Sequence, residues 1–142
     1  KGLLTMDQVK RKKRVLVMDD DEFIREMLLN ALSVSGYDVC LSGHGVEAIE
    51  SFLSAKKAER PFDALILDLS IKNGMDGVET IARLTSIDPE VRAIVCSGQA
   101  NHPAMNNPAE FGFSGVLSKP FSFDQLREEV GKVIGEKSVF FH

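Results

Sequence analysis

From Arg14 onward, short apolar runs alternate with longer amphipathic stretches, the pattern of βαβ units built around a parallel sheet. Val15 to Met18 is continuous and rich in β-formers, which predicts a strand covered on both faces. Glu22 to Ser35 then places Phe23, Met27, Leu28, Ala31 and Leu32 at helical spacing and stops at Gly36, so a first helix is expected with those residues on its apolar side. Tyr37 to Leu41 reads as a second strand and Val46 to Ala58 as a second helix, with Val46, Ile49, Phe52 and Leu53 inward. Ala64 to Leu67, Val78 to Leu84 and Val91 to Cys96 continue as strand, helix and strand. The fourth helix is the weak member, because Pro103 and Pro108 interrupt any apolar period between His102 and Phe111, and a short or broken element is expected there. Gly115 to Leu117 makes a fifth strand, and Ser122 caps a last helix over Phe123 to Ile134. Right-handed crossovers of this length give a three-layer α/β fold, which binds ligands beyond the carboxyl ends of its strands.

The residues just past each apolar run therefore become the candidates for chemistry. They are Asp19, Asp20 and Asp21 after the first strand, Asp68 after the third, Ser97 after the fourth, and Lys119 with Pro120 after the fifth. Taken singly, each has an ordinary structural reading, and Asp21 in particular is placed to cap the first helix. Together they put acid, acid, hydroxyl and amine at one edge. If the first and third strands are neighbours, three carboxylates converge there, and their repulsion calls for protons or a cation. A hard divalent ion such as Mg2+, held by one or two carboxylates and a substrate phosphate, answers that need.

Composition narrows the picture without changing it. The 142 residues are 44% hydrophobic and 27% charged, the profile of one globular domain. No apolar run approaches the roughly 20 residues of a membrane span, and nothing at the start reads as a signal peptide, so a cytoplasmic location without membrane contact is expected. Cys40 and Cys96 lie in apolar stretches without C-x-x-C spacing and are expected to be reduced and buried. Lys1 and the run from Lys10 to Arg14 hold six of the 17 basic residues, which leaves a body of 11 basic against 20 acidic residues. Such a body repels phosphate backbones, and no nucleic-acid contact is expected of it. Residues 1–13 are expected to be a flexible basic lead-in and residues 136–142 a tail. The initial Lys is what a piece of a longer protein would show.

At this edge the chain resembles the receiver domain of two-component signalling. The resemblance covers about residues 14 to 135, with Asp19 and Asp20, Asp68, Ser97 and Lys119-Pro120 at its four motif positions. It implies a flavodoxin-like (βα)5 fold with strand order 2-1-3-4-5. It also implies that Asp68 accepts a phosphoryl group from a phosphohistidine on a histidine kinase or histidine phosphotransfer domain, and that phosphorylation and dephosphorylation are self-catalysed. On the same footing, Asp19, Asp20, Asp68 and the carbonyl of Ser70 hold Mg2+, Lys119 and Ser97 contact the phosphoryl oxygens, and Pro120 is the family's cis proline. A weak homodimer is compatible with it.

Within the family, the segments Asp68 to Gly77, Ala93 to Gly98 and Gly112 to Pro120 are similar to receivers of hybrid sensor histidine kinases. Three features stand out against the common pattern: the loop after Asp68 is one residue longer, with Lys72 where many members have Pro; Ser70 holds the position two after the phosphoacceptor, which influences dephosphorylation in the family; and Val116 replaces the aromatic residue three before the Lys. With only a short tail after Ile134, a domain that passes or stores phosphoryl groups is expected, with a stand-alone response regulator switch as the alternative. Two rivals of other classes are a haloacid-dehalogenase-like phosphatase using Asp19 of a D-x-D triplet, which leaves Asp68 unexplained, and a flavodoxin-like cofactor domain, for which a Ser/Thr-rich phosphate loop is missing.

Overall fold

The computed structural model describes residues 11–135. The expected basic lead-in falls mostly, and the tail wholly, outside the described residues. Five strands alternate with five helices in chain order: β1 (Arg14–Met18), α1 (Glu22–Val34), β2 (Asp38–Ser42), α2 (Gly45–Lys57), β3 (Ala64–Asp68), α3 (Gly77–Ile87), β4 (Ala93–Ser97), α4 (Pro103–Asn106), β5 (Gly115–Ser118) and α5 (Phe123–Ile134). All pairings are parallel and the strand order is β2-β1-β3-β4-β5, the doubly wound arrangement of flavodoxin-like folds. The fourth helical segment is indeed broken, with one turn over Pro103–Asn106 followed by a 3-10 turn over Pro108–Phe111.

The sheet separates two cores, because successive strand side chains point to opposite faces. Val15 and Val17 join Ile66, Ile94, Leu28, Leu32, Leu126 and Val130 on the face covered by α1 and α5. Leu16 and Met18 join Leu65, Leu67, Val95, Phe52, Ile81 and Leu84 on the face covered by α2 and α3. Each fully buried aliphatic side chain contributes about 1.5–3 kcal/mol. The central strands β1, β3 and β4 are thereby held rigidly, and their carboxyl ends are fixed relative to one another.

The helix faces differ from the sequence expectation in an instructive way. Phe23 is 75% exposed and Met27 39%, while Leu28 and Leu32 carry the burial of α1. On α2, Phe52 is buried as expected, but Val46 and Leu53 are exposed, and Ala48 and Ala55 are buried in their place. A helix laid on a flat sheet buries a stripe narrower than its apolar residues span, and small residues such as Ala48 let it approach closely. Of the two cysteines only Cys96 is fully buried, its thiol pushed up to about 12 chiefly by desolvation; Cys40 is half-buried.

Candidate functional site

Local turns aim each strand end before any long-range contact does. Asp21 caps α1, accepting from the backbone N–H groups of Phe23 (2.8 Å) and Ile24 (3.3 Å), as its position predicts. Asp19 then receives the N–H of Asp21 on Oδ1 at 2.9 Å, and Asp68 receives the N–H of Ser70 on Oδ1 at 3.1 Å. Each of these carboxylates is thus pinned by the chain two residues on. Gly77 opens α3 directly beneath: a Cβ there would stand 2.5 Å from the carbonyl oxygen of Asp68, so only glycine allows α3 to start so close to the strand end.

Parallel pairing of β1 with β3 brings Asp19, Asp20 and Asp68 together, with ligand oxygens all within 4.8 Å of one another. Asp19 and Asp68 are buried, at 2% and 5% exposure, and Asp20 is exposed. Lys119 reaches in from the end of β5. Its Nζ lies 2.9 Å from Asp19 Oδ2 and 3.3 Å from Asp68 Oδ2, and the Lys119-Pro120 peptide bond is cis. The three acids and Lys119 line a cleft of about 450 Å3 together with Asp21, Lys72 and Asn73.

Ser97 and Ser70 are not among the residues that line it, and they connect to it through the chain. Ser97 Oγ accepts the N–H of Gln99 (2.9 Å), and its carbonyl accepts the N–H of Lys119 (2.9 Å). Ser70 Oγ accepts from Gln99 Nε2 at 2.8 Å, which ties the loop after β3 to the loop after β4.

Four acids, Asp19, Asp20, Asp21 and Asp68, against two lysines, Lys72 and Lys119, leave the cleft short of positive charge. Burial is the main cause that raises the Asp68 carboxyl to about 6, assisted by the neighbouring Asp19 and opposed by the Ser70 N–H and Lys119. Burial alone would lower Lys119, yet its hydrogen bond to Asp19 and the charges of Asp68 and Asp19 outweigh it and hold the ammonium above its ordinary range. Lys119 is therefore engaged before any phosphoryl group arrives, a resting role that its sequence position does not reveal. The donor set is hard, anionic and all oxygen, which fits Mg2+ and not a thiolate-seeking metal.

Two contacts escaped the sequence reading. Arg25 donates from Nη1 to the carbonyl of Asp19 (2.8 Å), and the backbone N–H of Lys72 donates to Asp20 Oδ2 (3.0 Å). Arg25 lies on the helix that follows the acidic triplet, so helical spacing could have pointed to it; nothing local joins Lys72 to Asp20.

Residues 15–131 match the family profile of the response regulator receiver domain. The chain belongs to the receiver domains. It is 30% identical to sporulation initiation phosphotransferase F of Bacillus subtilis, over 89% of this chain and 97% of that one. It is 34% identical to the receiver protein CpdR of Brucella abortus, over 86% and 97% of the two chains. Among solved structures, the response regulator TrrA of Thermotoga maritima in complex with Mg(2+)-BeF superposes with a TM-score of 0.73 at 28% identity, covering 85% of this chain and 98% of that one. A sensor protein of Polaromonas gives 0.73 at 26% identity, over 86% and 95%.

The chain is thus a phospho-accepting receiver domain of two-component signalling with the acidic cluster at which such domains bind Mg2+. The phosphatase reading finds no support, and Asp21 of its D-x-D triplet is occupied in capping α1.

Proposed function

We propose that Asp68 is the phosphoacceptor of this receiver domain. A carboxylate oxygen of Asp68 forms a bond to phosphorus while the bond from phosphorus to the partner's imidazole nitrogen breaks, and the electron pair returns to the imidazole. With its carboxyl near 6, Asp68 is ionised at neutral pH and able to act as the nucleophile. Lys119, already beside it, meets the negative charge that gathers on the phosphoryl oxygens. Ser97 can donate its hydroxyl hydrogen to a phosphoryl oxygen from the neighbouring strand end while its Oγ still accepts the N–H of Gln99. Asp19, Asp20, Asp68 and the carbonyl of Ser70 would hold Mg2+, which supplies the cationic charge that an anionic nucleophile needs to meet an anionic donor.

The observation that carries the reading is the bridge from Lys119 Nζ to Asp19 and Asp68 inside the cleft that Asp20 also lines. Incubation with a small phosphodonor and Mg2+, followed by peptide mass spectrometry, tests it: the adduct is expected on Asp68 and absent from Asp68→Asn.

The donor is a histidine kinase or a histidine phosphotransfer domain. The exposed Phe23 and Met27 of α1, the helix that follows the acidic triplet, offer an apolar contact for such a partner. The place of the domain is within a hybrid sensor kinase, where it relays phosphoryl groups. The likeness to the Polaromonas sensor protein supports this placement. So does Val116, which has no ring to carry motion from Ser97 to the distal face, and so does the single-turn α4, which offers that face little helix. Among the described residues no helix is long and apolar enough to cross a membrane. Membership of the receiver family supports a cytoplasmic place for the domain.

A further inference from the structure

Each of the three site carboxylates has one oxygen held by a backbone N–H. For Asp19 and Asp68 the donor is local, two residues on, and is Asp21 or Ser70. For Asp20 the donor is Lys72, 52 residues away in the loop after β3, at 3.0 Å from Oδ2. Asp20 is also the exposed member and the one that Lys119 does not reach, so this bond supplies its orientation.

We propose that the backbone N–H of Lys72 is a positioning group for divalent cation binding. It holds Asp20 Oδ2 and thereby presents Oδ1 to the ion. The inference rests on the reading that Asp19, Asp20 and Asp68 hold Mg2+. A ligating carboxylate whose second oxygen is fixed loses less freedom when the ion binds, which is why partners behind the ligands govern metal affinity. The Lys72 ammonium is a separate matter. Lys72 lines the same cleft, and its positive charge opposes a cation as a like charge, so side chain and backbone of one residue act in opposite directions.

The test separates them. Lys72→Ala and Lys72→Pro both remove the ammonium, but only Pro also removes the N–H. Calorimetric titration of the full chain with Mg2+ is expected to show binding by Lys72→Ala at least as tight as wild type and binding by Lys72→Pro about tenfold weaker or more than Lys72→Ala. Equal affinities in the two variants would overturn the proposal. If the wild type itself binds no Mg2+, the reading of the acidic cluster fails, and this inference with it. A second measurement needs no variant and covers a Lys72→Pro chain that misfolds. In the wild type, the Lys72 amide is expected to gain protection from hydrogen exchange as Mg2+ is added. Faster exchange on Mg2+ binding would mean that the bond competes with the ion, and would contradict the proposal.

Discussion

The two ends of the sheet both carry charge clusters, and they are built to opposite ends. At the amino end, Arg14 at the start of β1 pairs with Asp38 at the start of β2 (3.2 Å), Arg60 joins the same carboxylate (3.4 Å), and Asp63 accepts the N–H of Arg14 (2.7 Å). The Arg14 guanidinium also lies 4.5 Å from the centre of the Phe62 ring and donates to the carbonyl of Arg60. Two arginines face two aspartates, and half of the Asp38 side chain's surface stays near water. At the carboxyl end, four aspartates line a cleft with two lysines, and Asp19 and Asp68 are buried. The first cluster is balanced and closes the structure. The second is left short of positive charge, a condition that a resting fold would not select and that a bound cation would relieve.

Breaking the carboxyl-end cluster should have the largest effect. Lys119→Ala leaves Asp19 and Asp68 buried without their counter-charge, and at pH 7 without divalent ions it is expected to cost about 2–3 kcal/mol in unfolding free energy. That is below the full penalty for a broken buried pair, because Asp68 can take up a proton and the lysine is partly solvated. Urea unfolding should register the loss, and Mg2+ should return part of it.

Removing the deficit should act in the other direction. Asp68→Asn takes away a charge whose burial is incompletely compensated, and a gain of about 1–2 kcal/mol at pH 7.5 is expected. The folded carboxyl of Asp68, near 6, is raised above its unfolded value near 3.8. Its contribution is therefore most favourable below pH 4, is lost as pH rises from about 4 through 6, and stays lost above that. The advantage of the Asn variant should accordingly shrink toward pH 4 in paired denaturation curves. An advantage independent of pH would assign it to packing instead.

Much of this comparison is legible in the sequence, but unevenly. Asp19, Asp68, Ser97 and Lys119 announce themselves because each directly follows an apolar strand, and parallel strands must end at one edge. The inward faces of α1 and α2 do not, since spacing alone assigned Phe23, Met27, Val46 and Leu53 to a stripe that the sheet was too flat to cover. The Arg14 network and the bond from Lys72 to Asp20 are invisible for a different reason. They join residues brought together only by strand register and loop path, which a linear pattern does not encode.

The smallest effect is expected at the amino end. Asp38→Ala breaks one partly buried and one exposed pair and should cost about 1 kcal/mol. It should leave the rate of phosphorylation by a small phosphodonor unchanged, because its cluster lies at the far end of the strands from Asp68. A large kinetic defect would mean that the two ends are coupled through β1 and β2.

The carboxyl-end deficit would draw a cation, and with that cation and Lys119 in place Asp68 would receive a phosphoryl group. The most direct measurement is intact-mass and peptide mass spectrometry of the wild-type chain and of Asp68→Asn after exposure to a small phosphodonor, with Mg2+ and with chelator. A single adduct on Asp68, dependent on Mg2+ and absent from the variant, is the predicted result; an adduct on Asp19, or labelling of Asp68→Asn at the wild-type rate, would contradict it.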